Sequence, residues 1–271
     1  MLIEIHIKKL ALLLLLLMAS CNGTPQITDT LQAEIDIAQS AVMNLNIMNR
    51  SATIQPLASD SELLFSALVG DVSTVSYSAE INEQAFILLS DNPNLPSTND
   101  WEIQASSAIP VAYVVDVTDG TLSANLTIAD VPRFDIVASN STVDVDFPIS
   151  AFQLASDTSD STVNFSIPTG AVVQSSQLVS IGGLLNLDIA QGVSFAGNVT
   201  VQSGGFTLTV PPTTGVQIIV ASSTNSEISL PNAPRTPAEI ASYITDNFSQ
   251  SDSQIILQAD LDGAAIRIIQ E

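Results

Sequence analysis

The sequence predicts an all-β fold, a parallel β-solenoid whose rungs are about twenty residues long. Three observations predict it. Short strands ending in proline recur at a spacing of twenty: Ser141 to Pro148 (STVDVDFP) and Ser161 to Pro168 (STVNFSIP), then Phe206 to Pro211 (FTLTVP) and Ser226 to Pro231 (SEISLP). Apolar residues alternate within each strand, so Val143, Val145 and Phe147 share one face while Thr142, Asp144 and Asp146 share the other. Finally, Ile136 to Pro148 (IVASNSTVDVDFP) reappears as Ile219 to Pro231 (IVASSTNSEISLP), at an offset of 83 that is close to four periods.

In-register stacking follows from the alternation. Val143 meets Val163, Val145 meets Phe165 and Phe147 meets Ile167 inside. Outside, Asp144 meets Asn164 and Asp146 meets Ser166, so that carboxylates do not oppose each other. Prolines sit at a corner, where a missing N–H costs little. Leu184 to Ile189 (LLNLDI) and Leu122 to Ile128 (LSANLTI) supply further rungs. A sandwich of antiparallel hairpins is the rival architecture, but it offers no reason for a twenty-residue period.

The elements fall in order along the chain. Lys8 and Lys9 precede an apolar run, Leu10 to Leu17, of the length of an export signal and too short to cross a bilayer of about 30 Å. Met18-Ala19-Ser20 then leads into Cys21, the one cysteine. This segment resembles a bacterial lipoprotein signal, which implies removal of residues 1–20 and diacylglycerol on Cys21. Residues 21–35 read as a tether and 36–232 as the stack, with early strands in Ala41 to Ile54 and Val72 to Leu89. Ser90 to Asp100 is a loop by its Pro and Asn content. Residues 233–271 read as a small α/β cap. Thr236 would cap a helix starting at Pro237, with Glu239 in its first turn, and strands follow at Gln254 to Gln258 and Ala264 to Ile269.

Charge narrows the function. The 271 residues carry a net charge of −22, and only 13% are charged while 46% are hydrophobic. Without residues 1–20, four arginines (Arg50, Arg133, Arg235 and Arg267) face 27 acids, a net −23. Such a surface repels nucleic acid and anionic headgroups, so membrane attachment rests on the lipid. Asn22 in place of Asp after the cysteine favours the outer membrane of a double-membraned cell, and the outer surface of a single-membraned one.

The stretch from about Ala41 to Pro231 resembles the bacterial toast-rack and adhesin-like β-solenoid families, which include the extracytoplasmic domain of cell-wall-active antibiotic response proteins. The resemblance rests on Trp101-Glu-Ile-Gln, Ile109-Pro110-Val111 with Tyr113 and Val115, Asp119-Gly120, Leu122 with Leu126, and the Phe134-Asp-Ile136 to Phe147-Pro148 unit. It implies a right-handed stack at the cell envelope with a role in adhesion or envelope-stress signalling. It carries over no catalytic residue.

The exported chain has no histidine and no lysine, which excludes Ser-His-Asp, Ser-Lys and Schiff-base chemistry. Gly182-Gly183 and Gly204-Gly205 are turns. Carboxylates are the one abundant reactive type: Asp144 and Asp146 on an outward face, with Asp130, Asp135 and Arg133 nearby. Ser156 to Asp160 is a candidate calcium loop, though it lacks the glycine spacing of calcium-binding coils. Trp101 reads as half-buried. The expectation is therefore a non-enzymatic, lipid-anchored surface protein without a cofactor, whose partner is an envelope protein or polysaccharide. A polysaccharide-acting enzyme and an accessory of envelope-stress signalling are the alternatives.

Overall fold

The computed structural model describes residues 30–35, 37–95, 99–231 and 233–271. Residues 1–20 and Cys21 lie outside them. The N-terminal strands are β1 (Thr30–Glu34), β2 (Ser40–Met48), β3 (Ser51–Pro56), β4 (Leu63–Leu68), β5 (Val75–Glu80), β6 (Gln84–Asp91) and β7 (Trp101–Ala105). The middle comprises β8 (Val111–Thr118), β9 (Thr121–Asn125), β10 (Arg133–Ser139), β11 (Thr142–Asp146), β12 (Ala151–Ser159), β13 (Thr162–Ile167), β14 (Val172–Ile181), β15 (Leu184–Ile189), β16 (Phe195–Gln202) and β17 (Gly205–Val210). The C-terminal strands are β18 (Thr214–Thr224), β19 (Glu227–Ser229), β20 (Thr236–Pro237), β21 (Ser242–Ile244), β22 (Ser253–Asp262) and β23 (Ala265–Gln270).

From β8 to β17 each rung places one strand in an 11-stranded sheet and the next in a 12-stranded sheet. Every rung pairs in parallel with the one before it. Val143 is opposite Val163, Asp144 opposite Asn164 and Val145 opposite Phe165. Alternation turns Val143, Val145, Val163 and Phe165 inward, where they are buried. An aromatic column ties the sheets together: Phe147 stacks on Phe152 at 4.6 Å and meets Phe134 and Phe165 edge-on at 5.4 and 5.6 Å. Each such contact adds about 0.5–1.5 kcal/mol beyond its buried area.

Two corners repeat. The proline corner closes the strands of the 12-stranded sheet. The opposite corner is a ladder of left-handed residues: Asn49, Asp119, Asn140, Asp160, Gly182, Ser203, Gly263 and Asn225, all at positive φ. Asn, Asp and Gly tolerate that conformation best. The next residue is mostly small because backbones nearly touch there; a Cβ on Gly183 would collide with the Ser161 carbonyl oxygen. Buried serine hydroxyls join neighbouring corners, with Ser141 N–H donating to Ser161 Oγ at 3.1 Å and Gly120 N–H to Ser141 Oγ at 3.2 Å.

The order of rungs departs from the order of the chain at both ends. The last two strands, β22 and β23, lie inside the stack, between β16/β17 and β18/β19. Phe206 to Pro211 and Ser226 to Pro231 are thus not neighbours, despite their twenty-residue spacing. At the other end β2/β3 is sandwiched between β6/β7 and β8/β9. Antiparallel strands close each end: β1, β4 and β5 at one, β20 and β21 at the other.

The structure overturns the predicted α/β cap: the described residues after Pro231 form no α-helix. Thr236–Pro237 pairs with Glu227–Ile228, and Ser242–Ile244 with Gln217–Ile219. Among the described residues a single 3₁₀ turn at Phe248–Gln250 is the only helical feature there. The physical reason is competition. A helix of about a dozen residues is marginal in water, whereas β18 and β19 would expose unpaired backbone. The stack claims the N–H groups that a helix would need: Ala238 donates to Ser226 O, and Thr245 to Val216 O.

Candidate functional site

The outward face of the 12-stranded sheet is a grid of small polar side chains, set by strand alternation and parallel register. One row runs Thr53, Ser123, Asp144, Asn164, Asn186, Thr207. A second runs Asn125, Asp146, Ser166, Asp188, Thr209. Amides pin the first row: Asn164 Nδ2 donates to Asp144 Oδ1 at 2.6 Å, and Asn186 Nδ2 to Asn164 Oδ1 at 2.7 Å. A shallow depression of about 240 Å³ lies over Asp144, Asp146, Asn164, Ser166, Asn186 and Asp188. Equivalent positions of adjacent rungs are about 4.8 Å apart, so the face offers hydrogen-bonding groups on a regular lattice.

Other acidic candidates are dispersed. Asp135 lies in β10, on the other sheet, and pairs with Arg133, whose pKa that contact raises. Asp130 precedes β10 in a connection. Ser156 to Ser159 belong to strand β12, and Ser156 is buried, so the segment expected to be a loop, and weighed as a calcium candidate, is a strand up to Ser159. Asp160 sits instead at the left-handed corner. Among the described residues no group of three His, Cys, Asp or Glu side chains is placed to hold a metal ion.

The left-handed corner adds a groove that the sequence reading missed. It measures about 530 Å³ and is lined by Asn49, Asp100, Asp119, Asn140 and Asp160 together with the threonines that follow the corners. Asn140 Nδ2 donates to Asp119 Oδ1 at 2.6 Å. The signal was present in Asp119-Gly-Thr, Asn140-Ser-Thr and Asp160-Ser-Thr, a recurring triplet that marks the corner.

Trp101 is fully buried, not half-buried, and Tyr113 is too, so neither ring offers a sugar a stacking surface. Trp101 instead supports Arg50, whose guanidinium carbon lies 4.8 Å from the ring centre. Arg50 forms a buried ion pair with Asp91 and donates to Asn99 O at 2.9 Å. Burial pushes the Asp91 carboxyl above its ordinary range; the Met48 N–H and Arg50 pull against that shift. This unit is interior and fastens the β6/β7 rung to the corner after β2.

No protein-family model matches the chain, and no curated protein does. Among solved structures, a proposed cell-adhesion protein from Clostridium sporogenes is similar at 15% identity with a TM-score of 0.44, over 90% of this chain and 99% of that one. A proposed adhesin from Bacteroides fragilis shares 10% identity over 89% and 96% of the two chains, with a TM-score of 0.37. One from Parabacteroides merdae shares 11% over 91% and 97%, with a TM-score of 0.34.

Proposed function

We propose that this chain is a non-catalytic binding or scaffolding protein of the bacterial envelope, held to a membrane by lipid on Cys21. Its work is to present the outward face of the 12-stranded sheet to an envelope polysaccharide or protein. The observation that carries this reading is the pinned row Asp144, Asn164, Asn186. It forms a rigid array of amide and carboxylate groups at rung spacing, suited to many weak hydrogen bonds with a repetitive partner. The carboxylates on this face are spread along it, a layout that serves contact better than acid–base attack on one bond.

Two measurements test the proposal. Growth with a labelled fatty acid should mark the wild-type protein and not Cys21→Ser, and the variant should leave the membrane fraction. The full chain should bind isolated envelopes, and Asn164→Arg with Thr207→Arg should abolish binding while leaving the circular dichroism unchanged. Unlabelled protein, undiminished binding by the double variant, or release of reducing sugar ends from the envelopes would each overturn the reading.

A further inference from the structure

Among the described residues, the four outer edges of the two sheets are not equally protected. At the C-terminal end, β20 is two residues long and contains Pro237, while β21 is three residues long. At the N-terminal end, the Gln32 carbonyl of β1 accepts a hydrogen bond from the Tyr77 hydroxyl at 3.2 Å. The fourth edge, β5, runs six residues (VSYSAE) in unbroken register with β6 and contains no proline.

Its backbone direction follows from one bond. Asn92 N–H donates to Thr74 O at 2.9 Å, just before the strand begins. Antiparallel alternation then turns the backbone groups of Ser76, Ser78 and Glu80 toward β6, and those of Tyr77 and Ala79 outward. Beside this edge, between β5 and β1, opens a groove of about 490 Å³ lined by Ala33, Leu63, Tyr77, Ala79 and Ile81, with Gln32 and Glu34. Tyr77 forms its floor, stacked on Phe65 with ring centres 5.9 Å apart. A strand added to β5 would send alternate side chains into that groove. Glu34 lines it; Glu62 and Glu80, next to lining residues in the chain, and Glu83 are exposed, and alternation sets Glu80 on the face of β5 opposite Tyr77 and Ala79. Of the described basic residues, Arg50 is buried and Arg133, Arg235 and Arg267 lie on β10, before β20 and on β23.

We propose that β5 is a docking edge for an extended polypeptide segment in which apolar residues alternate with lysine or arginine. The ladder of backbone hydrogen bonds supplies affinity, the groove takes the apolar side chains, and the glutamates select the positive ones. A second copy of this chain is disfavoured, because two such ends would bring the Glu34 and Glu80 rims together. This inference stands apart from the polar face and from the lipid anchor.

The probe is a fluorescent peptide alternating valine and lysine over about ten positions, compared with one alternating valine and glutamate, by anisotropy with the full chain. The lysine peptide should bind and the glutamate peptide should not. Ala79→Pro removes an outward N–H that β6 does not use, a place where an edge strand tolerates proline; it should weaken binding about tenfold or more. Glu80→Lys, which leaves the backbone untouched, should weaken it as well and guards against a folding defect in the first variant. Equal binding of the two peptides, full binding by both variants, or a concentration-dependent dimer of the free chain that Ala79→Pro abolishes would overturn the proposal.

Discussion

The two ends of this stack solve the same problem with different chemistry. Each interleaves a rung, so that the strands first or last in the main stack lie inside, and a later or earlier rung covers them. At the N-terminal end the outer rung is locked by charge: the buried Arg50–Asp91 pair, seated on Trp101. At the C-terminal end the only ion pair among the described residues, Arg235–Glu227 at 3.6 Å, is exposed, and the rest of the lock is neutral. Thr245 Oγ1 accepts from Val216 N–H at 2.9 Å, Asn247 Nδ2 donates to Pro212 O at 2.8 Å, and Gln270 Nε2 donates to Thr214 O at 2.8 Å. The difference teaches that a coil end needs its backbone paired, and that the pairing can be secured by whichever side chains the local sequence offers.

Ending the chain after Asp252 should have the largest effect. It removes Ile255, Leu257, Leu261, Ile266 and Ile268, all buried. At about 1.5–3 kcal/mol each, they are worth as much as the whole stability of many domains. It also strips β18 and β19 of their parallel partners, β22 and β23. Limited proteolysis should cut within residues 211–252, and thermal unfolding should fall steeply. Removing residues 1–34, and with them β1, should cost far less, because Leu31 and Ala33 are only partly buried. Equal losses would dissolve the contrast between an interleaved rung and a covering strand.

Arg50→Met comes next, at about 3–5 kcal/mol near neutral pH, because it leaves Asp91 buried without its partner. The sign of the pH dependence follows from Asp91, whose folded pKa is raised above its unfolded value by burial. Protonation therefore favours the folded state at this residue, and that contribution fades as pH rises through the raised value. The deficit of Arg50→Met should shrink between pH 7 and about pH 4. Urea titrations across that range would show it, and a deficit that grows with acid would contradict the charged lock. No such narrowing is expected for Thr245→Val at the neutral end.

Gly183→Ala probes the middle, where the corner backbones meet. Its methyl group would strike Ser161 O, and a cost of about 1–3 kcal/mol is expected in thermal unfolding. Asn164→Ala should matter least, within about 0.5 kcal/mol, since the outward ladder faces water. A cost as large as that of Gly183→Ala would mean that the polar face holds the fold together.

Much of the middle was legible in the sequence. The proline spacing and the alternation of Val143, Val145 and Phe147 set both period and register there, because each strand depends only on its two neighbours. The ends were not legible, since a rung's place in space need not follow its place in the chain. Nothing local in Gln254 to Ile269 states that these strands belong beneath β18 and β19. The helix expected from Thr236 failed for a related reason: its local pattern was sound, and the open edge beside it outweighed it. On the candidate site, alternation alone places Asp144 and Asp146 outward, where the structure has them. The corner groove was missed because Asp119-Gly120 looked like an isolated turn when taken without Asn140 and Asp160.

The most direct test is cross-linking across the C-terminal rung. On a Cys21→Ser background, Asn198→Cys with Gln258→Cys should form a disulfide readily, since those residues are register partners on β16 and β22, at about 5 Å between backbones. Asn198→Cys with Ile219→Cys should not, because β22 separates them by twice that distance. Rapid closure of the second pair and failure of the first would mean that the rungs follow chain order, and the interleaved end would be wrong.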